Sequence, residues 1–268
     1  MSRALRFLLV CIPVSLPLLG AATAVQAEQQ FGYDAAERQQ ELLEVWFDIR
    51  KSNAEKGDPD AMFDVAMAHY TGRGTPVAYT PARRWFQRAA DVEHARAHYF
   101  LGHIFARGKG TEADRERSRE HYTRAAELGD ADAQYWLGSH LVNDAQKPSA
   151  GREWLTRAAE QGMPAAQYFV GYLHEFGKGT RRNPATAAEW YQRAAEQGNR
   201  SAQIGLGRLH QNGRGVKRDL VQAHVWYRLA QDADRLAALE TRMNSRDLAS
   251  ARTRFQEQRA ALQAASAR

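Results

Sequence analysis

Apolar residues recur along this chain at helical spacing, in short segments that glycines separate. In the segment 165–176, Val170 and Leu173 follow the spacing of three and four residues that places side chains on one face of a helix. Gly177 comes directly afterwards, where glycine can adopt the left-handed conformation that ends a helix. Asn183 then provides an N-cap for a second helix, which begins with a proline. The pattern therefore predicts two short helices joined by a tight turn.

The second helix of this pair is predicted over 184–198. Its inner side carries Ala187 and Ala194 together with either Trp190 or Tyr191, because these two rings are adjacent and the spacing admits both. Large rings at a fixed helical position are typical of the core between stacked helices. We therefore expect four tryptophans that recur at the same second-helix position to be buried, namely Trp85, Trp154, Trp190 and Trp226.

The helix pair recurs five times, at 60–95, 96–130, 131–163, 164–199 and 200–234. One apolar first-helix position marks the register, occupied by Val65, Leu101, Leu137, Val170 and Leu206. The third copy lacks a glycine turn and has the segment 143–147 in its place. Units of this size cannot bury an apolar face alone, so the repetition predicts a stacked helical array.

The residues of the copies follow A-x-x-x-L-G, then G-x-G, then A-x-x-W-Y-x-x-A-A-x-x-G, with the best match at 187–198. This motif resembles the Sel1-like repeat, a relative of the tetratricopeptide repeat. The resemblance implies an all-α, right-handed αα solenoid of about five two-helix repeats. The first copy departs from the motif by having Ala66 at the glycine position, and the third departs by losing its turn.

Both ends of the array are predicted to be capped by helices. Residues 28–59 form a linker and a capping helix that is similar to the second helix of a missing leading repeat, and residues 235–268 form a C-terminal helical cap. An array needs terminal units with one polar face to stay soluble.

The first 27 residues are typical of a secretory signal peptide, with Arg3 and Arg6 ahead of the apolar run 7–19. Cleavage is expected after Ala27, and Cys11, the only cysteine, would be removed with the leader. The mature chain would then be exported without any disulfide. We therefore predict a periplasmic protein, with secretion from the cell as the alternative.

Charge argues against nucleic-acid binding. The formal net charge is +6, and without the two arginines of the leader it is +4. Both signs are interspersed along the chain, whereas a nucleic-acid binder concentrates basic residues on one face. No other stretch of the mature chain is apolar and long enough to span a bilayer. We expect a monomer that binds no nucleic acid and has no membrane span.

The sequence contains partial matches to catalytic and ligand-binding motifs, but their residues lack the required spacing. The run "GKGT" at 177–180 lacks the glycine spacing and the hydroxyl directly after lysine that a phosphate-binding loop needs, and "HEFGK" at 174–178 lacks the second histidine of a zinc helix. No serine has a lysine three residues later. Three histidines share one repeat position, namely His69, His174 and His210. They could be packing rings or metal ligands, and we favour packing rings. We expect no enzyme activity, no cofactor and no metal.

Function must then rest on the surface of the first helices, which in related arrays line the concave side. The residues two positions before the register position are mostly aromatic, and those two positions after it vary and should contribute little to packing. The predicted groove comprises Phe63, Tyr99, His103, Tyr135, Ser139, Tyr168, Tyr172 and Arg208. Tyrosine is an effective interface anchor, so we predict a protein or peptide partner, although the aromatic row is also explained as a structural ladder.

The resemblance implies adaptor roles in envelope assembly, signalling or secretion. The rival hypothesis is an envelope enzyme that acts on peptidoglycan or a β-lactam, as has been linked to cysteine-rich members of the family. The mature chain lacks those cysteines. Glycan binding in the tyrosine-lined groove is a third hypothesis.

Overall fold

The computed structural model describes residues 35–144 and 147–266, and the predicted leader lies outside these residues. Thirteen helices run through them: α1 Ala35–Glu55, α2 Pro59–Thr71, α3 Tyr79–Ala90, α4 Ala95–Arg107, α5 Arg115–Glu127, α6 Ala131–Val142, α7 Pro148–Glu160, α8 Pro164–Phe176, α9 Pro184–Glu196, α10 Arg200–Asn212, α11 Leu220–Leu229, α12 Ala233–Glu240 and α13 Ser245–Ser266. The described part of the chain holds no strand. The predicted all-α array is confirmed.

Helices α2 to α11 form five pairs, which we number as repeats 1 to 5, and each helix packs mainly against its neighbours along the chain. Helix α1 packs against α2 at one end of the array, and α13 folds back against α11 at the other. Nearest-neighbour packing of this kind is the property that defines a solenoid. No helix in the two described stretches is long and apolar enough to cross a bilayer.

The predicted turn residues have the predicted roles. Gly177 ends α8 in the left-handed conformation with φ 72°, and its amide donates to the carbonyl of Leu173. The side-chain oxygen of Asn183 accepts hydrogen bonds from two backbone amides at the start of α9, those of Ala185 and Thr186. These two caps fix where the chain changes direction in repeat 4.

The second glycine of the turn also makes contact between repeats. Gly179 has φ 64°, and a β-carbon there would lie 2.5 Å from the carbonyl oxygen of Pro148, the first residue of α7 in the preceding repeat. Gly215 approaches Pro184 of α9 in the same way, and Gly110 approaches Tyr79 of α3. The G-x-G turn is therefore a backbone-to-backbone contact as well as a helix terminator.

Within a repeat, a glycine lets a ring of the second helix approach the first. A β-carbon at Gly171 would lie 2.6 Å from the ring of Tyr191, and one at Gly205, in the next repeat, would lie 2.9 Å from the same ring. Tyr191 is consequently held between two helix backbones and is only 1% exposed. The residues at its repeat position are all buried: Phe86, Tyr122, Leu155, Tyr191 and Tyr227.

The prediction that four tryptophans form the core is wrong for three of them. Trp226 is buried, whereas the others, Trp85, Trp154 and Trp190, are only half-buried. Each of the three has an arginine three residues later whose guanidinium lies 4.2 to 4.6 Å from the ring centroid, namely Arg88, Arg157 and Arg193. The next residue along the helix faces the core instead. Trp226 differs in that it belongs to a buried core cluster, and its helix, α11, also packs against α13.

Glutamine side chains join consecutive repeats. The Nε2 of Gln167 donates to the carbonyl of Ala159 at the end of α7, at 3.1 Å. The Nε2 of Gln197 then donates to the Oε1 of Gln167 at 2.9 Å and to the carbonyl of Gly162 at 3.0 Å. Gln134 and Gln203 occupy the position of Gln167 in repeats 3 and 5 and make the same bond to a preceding carbonyl. These buried bonds satisfy the carbonyls where one repeat meets the next.

Candidate partner-binding surface

The predicted groove residues all lie on the first helices, α2, α4, α6, α8 and α10, and all are half-buried. The aromatic row packs its rings partly onto the core, as shown by Phe63, Tyr99, Tyr135 and Tyr168. Rings that are anchored on one side and open on the other keep a fixed orientation.

Tyr168, Tyr172 and Tyr135 form the central part of this surface. The ring of Tyr168 stacks on buried Tyr191 with centroids 5.6 Å apart. Phe169 links the other two, with its centroid 6.3 Å from Tyr135 and 6.0 Å from Tyr172. Burial raises the pKa of Tyr168 above its ordinary value, so its hydroxyl is protonated at neutral pH.

Tyr99 and His103 form a second aromatic group in repeat 2. Their ring centroids lie 4.7 Å apart, edge to face. The guanidinium of Arg96 lies 4.7 Å from the Tyr99 centroid and forms ion pairs with Asp130 and Asp132. Burial raises the pKa of Tyr99 and lowers that of His103, so both rings are neutral at pH 7.

The tyrosine hydroxyls of the row differ from those of two core tyrosines, Tyr191 and Tyr227. Buried Tyr191 donates to Glu175 at 2.8 Å, and buried Tyr227 donates to Gln211 at 2.7 Å. Within the described residues, no protein hydrogen bond is made by the hydroxyls of four surface tyrosines: Tyr99, Tyr135, Tyr168 and Tyr172. These hydroxyls are the polar groups of the surface that remain open to a ligand.

Arg208 has a structural contact that sequence reasoning missed. Its guanidinium donates to the Oε2 of Glu175 at 2.6 Å, and Glu175 is only 3% exposed. The same carboxylate oxygen accepts the hydroxyl hydrogen of Tyr191. The expectation that the variable row contributes little to packing is therefore wrong for Arg208, because a buried carboxylate needs its partners.

Two more of the predicted residues make their contacts within the protein. Phe63 stacks on His94 with centroids 4.9 Å apart and packs against Phe86 and Phe100. The hydroxyl of Ser139 donates to the carbonyl of Trp136 in its own helix. The structure thus leaves Tyr99, Tyr135, Tyr168 and Tyr172 as the strongest candidates for partner contacts.

The histidines of interest fall into two sets. His69, His174 and His210 are half-buried, one per repeat, and the Nδ1 of each lacks a hydrogen-bond partner. Among the described residues, no three histidine, cysteine, aspartate or glutamate side chains converge as metal ligands do.

The second set is a pair. The Nδ1 atoms of His98 and His121 lie 3.0 Å apart. His98 stands where the later repeats have a glutamine, whose side chain bonds a carbonyl of the preceding repeat. Burial, followed by the nearby charge of His98, lowers the pKa of His121 to about 4.

Comparison with known proteins agrees with this architecture. The family model of the Sel1 repeat matches five consecutive segments, at 59–94, 95–130, 131–163, 164–199 and 200–233. The segments together make up more than half of the chain.

Two solved structures share both sequence and fold with the chain. A Sel1 repeat protein from Oxalobacter formigenes is 26% identical with a TM-score of 0.59, over 68% of this chain and 73% of that one. A protective antigen present in uropathogenic Escherichia coli strains, which displays an SLR fold, is 26% identical with a TM-score of 0.53. That alignment covers 81% of this chain and 56% of the antigen.

A plant protein shares a shorter segment. The ERAD-associated E3 ubiquitin-protein ligase component HRD3A of Arabidopsis thaliana is 38% identical over 63 residues. This segment is 23% of the present chain and 9% of the plant protein. The chain therefore spans only a small part of that relative.

Proposed function

Because the chain belongs to the Sel1 repeat family, whose members generally mediate protein–protein interaction, we propose that it is a non-enzymatic scaffold of the bacterial cell envelope. Its partner is a protein or peptide segment that lies across the first helices of repeats 2 to 4. The contacts come from the open tyrosine row, Tyr99, Tyr135, Tyr168 and Tyr172.

The observation that carries the proposal is the contrast between the two sets of tyrosine hydroxyls. The core hydroxyls of Tyr191 and Tyr227 have side-chain acceptors, whereas the hydroxyls of the surface row have none within the described residues. The surface rings are already held by core packing, so binding would immobilise few new rotamers. Rigid tyrosines with free hydroxyls are effective anchors for a protein partner.

The structural ladder remains part of the explanation for these rings. Tyr168 stacks on Tyr191 and Tyr135 contacts Phe169, so each ring contributes to stability as well as to the surface. A ladder alone, however, needs only the rings. Phenylalanine would pack equally well at these positions. The hydroxyls therefore distinguish partner binding from a purely structural ladder.

The envelope location rests on the N-terminal sequence. We infer export to the periplasm, with secretion as the alternative, from the charged start, the apolar run 7–19 and the expected cleavage after Ala27. The intact mass of the protein recovered from a periplasmic fraction tests this part. A mass that retains residues 1–27 would contradict it.

The partner is tested by affinity capture from the envelope fraction of the native host. The full chain carries a C-terminal tag, so that native processing still occurs at the N-terminus. A variant with Tyr135→Phe and Tyr168→Phe is compared with the parent, and Tyr79→Phe, a half-buried tyrosine of a second helix, is the matched control. The proposal predicts a protein that the parent and the control recover equally and the double variant recovers poorly.

The same experiment separates the rival hypotheses. Purified peptidoglycan sacculi replace the envelope fraction in a parallel arm. If the parent protein binds sacculi and the double variant does not, the ligand of the tyrosine row is a glycan and not a protein. Hydrolysis of sacculi or of a β-lactam by the purified protein would contradict the non-enzymatic role.

A further inference from the structure

An open cleft lies where repeat 2 meets repeat 3. It has a volume of about 630 Å³ and is lined by Ala106, Arg115, Glu116, Ser118, Arg119 and Trp136. Helices α4, α5 and α6 supply these residues. None of them belongs to the proposed tyrosine row, so the inference goes beyond the proposed function and can fail independently of it.

The shortened third repeat makes this junction different in sequence from the others. At other junctions, the second turn glycine of one repeat rests on the first residue of the preceding second helix, as Gly110 does on Tyr79 and Gly215 on Pro184. At this junction the corresponding first residue is Arg115 of α5. Repeat 3 has no glycine turn, and among the described residues no glycine makes such a contact with Arg115.

A comparison of equivalent positions shows which chemical group the cleft lacks. Tyr191 donates to Glu175 and Tyr227 donates to Gln211, and each acceptor lies 16 residues before its tyrosine. The same offset from Tyr122 leads to Ala106, which has no side-chain acceptor and lines the cleft. The hydroxyl of Tyr122 makes no protein hydrogen bond among the described residues.

The surrounding side chains carry the complementary charge. Arg115 and Arg119 are exposed, stand four residues apart on α5, and form no ion pair within the part of the chain that the structure describes. Glu116 lies between them along the helix, so the lining has a net charge of about +1 at neutral pH. Trp136 adds an apolar wall and stacks on Tyr122 with centroids 4.1 Å apart.

We propose that this cleft binds a glutamate side chain of an acidic partner segment. The incoming carboxylate takes the place that Glu175 occupies in repeat 4, accepting a hydrogen bond from Tyr122 and pairing with Arg115 and Arg119. An apolar residue beside the glutamate packs against Trp136. The built-in counterpart in repeat 4, where a tyrosine hydroxyl and an arginine hold one carboxylate, supports the choice of a glutamate.

The probe is a fluorescein-labelled peptide, Gly-Ser-Glu-Leu-Glu-Phe-Glu-Ser-Gly, with both ends blocked. Its counterpart has glutamine at every glutamate position. Fluorescence anisotropy with the purified full chain measures both affinities. We expect the acidic peptide to bind at least about tenfold more tightly, since hydrogen bonds to a charged group are strong. Equal affinities would overturn the proposal.

Substitutions then locate the site. Ala106→Glu supplies the missing carboxylate from within the chain and should lower the affinity for the acidic peptide at least about tenfold. Arg115→Glu with Arg119→Glu should do the same, whereas Glu116→Gln should strengthen binding by removing a like charge. Tyr122→Phe should weaken binding several-fold. Unchanged affinity in Ala106→Glu or in Tyr122→Phe would overturn the proposal.

A matched control separates the site from general attraction to a basic protein. Arg242→Glu with Arg246→Glu makes the same change in charge on two exposed arginines outside the cleft. Binding by this control should equal that of the parent, and a loss as large as that of the cleft double variant would contradict the inference. If Ala106→Glu fails to fold, Ala106→Gln, which reproduces the pair of Tyr227 and Gln211, takes its place.

Discussion

The hydroxyl of Tyr191 donates a 2.8 Å hydrogen bond to the carboxylate of Glu175, and both side chains are almost fully buried. Arg208 of the next repeat supplies the charge that balances this carboxylate. The three residues connect the two helices of repeat 4 and tie that repeat to repeat 5. Removing one of these partners would leave a buried carboxylate without its full compensation, which is destabilising.

Tyr191→Phe should therefore destabilise the protein by about 1–3 kcal/mol, because it removes a donor and leaves the ring in place. Tyr122→Phe is the matched control. Its hydroxyl has no protein partner among the described residues, so its free energy of unfolding should match that of the parent. Chemical denaturation of both variants measures the difference, and equal losses would contradict the role of Glu175.

Arg208→Ser should lower the free energy of unfolding by about 1–3 kcal/mol, because it leaves Glu175 with the tyrosine alone. The Arg208 side chain is 40% exposed, so solvent screens part of the interaction. Adding Glu175→Gln should restore most of the loss, since glutamine fills this position in repeat 5 beside Tyr227. A double variant no more stable than Arg208→Ser alone would argue against a charge effect.

Gly171→Leu should cost at least about 1–3 kcal/mol by overpacking, because any β-carbon at this position meets the ring of Tyr191. Lys178→Ala is the control in the same repeat, and its side chain is exposed, with Nζ 5.2 Å from the Tyr172 ring centroid. Its melting temperature should equal that of the parent. A measurable nucleotide affinity that Lys178→Ala abolished would contradict the interpretation of the glycine turn as structural.

The turn and cap residues were predictable because they act locally. A glycine that ends a helix and an asparagine that begins the next one are recognised from neighbouring residues alone, as Gly177 and Asn183 show. The repeat period then determined which helices pair. Local pattern and architecture agree at these positions.

The choice between Trp190 and Tyr191 for the core was not predictable from spacing. The two positions are adjacent on the helix, and the outcome depends on Arg193, which covers the tryptophan, and on Gly171 and Gly205, which admit the tyrosine. Glu175 was missed because a charged residue in an amphipathic helix is ordinarily solvated. Its burial depends on Arg208, which lies in the next repeat.

Acid should destabilise the fold through the pair of His98 and His121. The folded protein holds the pKa of His121 at about 4, below its ordinary value of 6.5, and lowers that of His98 as well, chiefly by burial in both cases. Between these pH values the unfolded chain binds more protons than the folded chain. Stability is therefore fully present above about pH 6.5 and is lost as the pH falls towards 4.

Four charged groups also act on the pair, namely Asp91, Glu93, Arg117 and Arg124. His98→Gln isolates the histidines, because glutamine at this position in other repeats bonds the preceding carbonyl without titrating. Urea unfolding at several pH values should show a shallower loss of stability between pH 6.5 and 4 in this variant than in the parent. Parallel curves would contradict a role for the pair.

The central claim is that the open tyrosine hydroxyls bind a partner, and the dissociation constant of the captured partner for the variant with Tyr135→Phe and Tyr168→Phe tests it most directly. Each lost hydrogen bond should weaken binding by about 0.5–1.5 kcal/mol, while the melting temperature stays that of the parent because both rings keep their packing. Tyr79→Phe should bind as the parent does. A double variant that binds with the parent's dissociation constant would contradict the account, and the row would then be only a structural ladder.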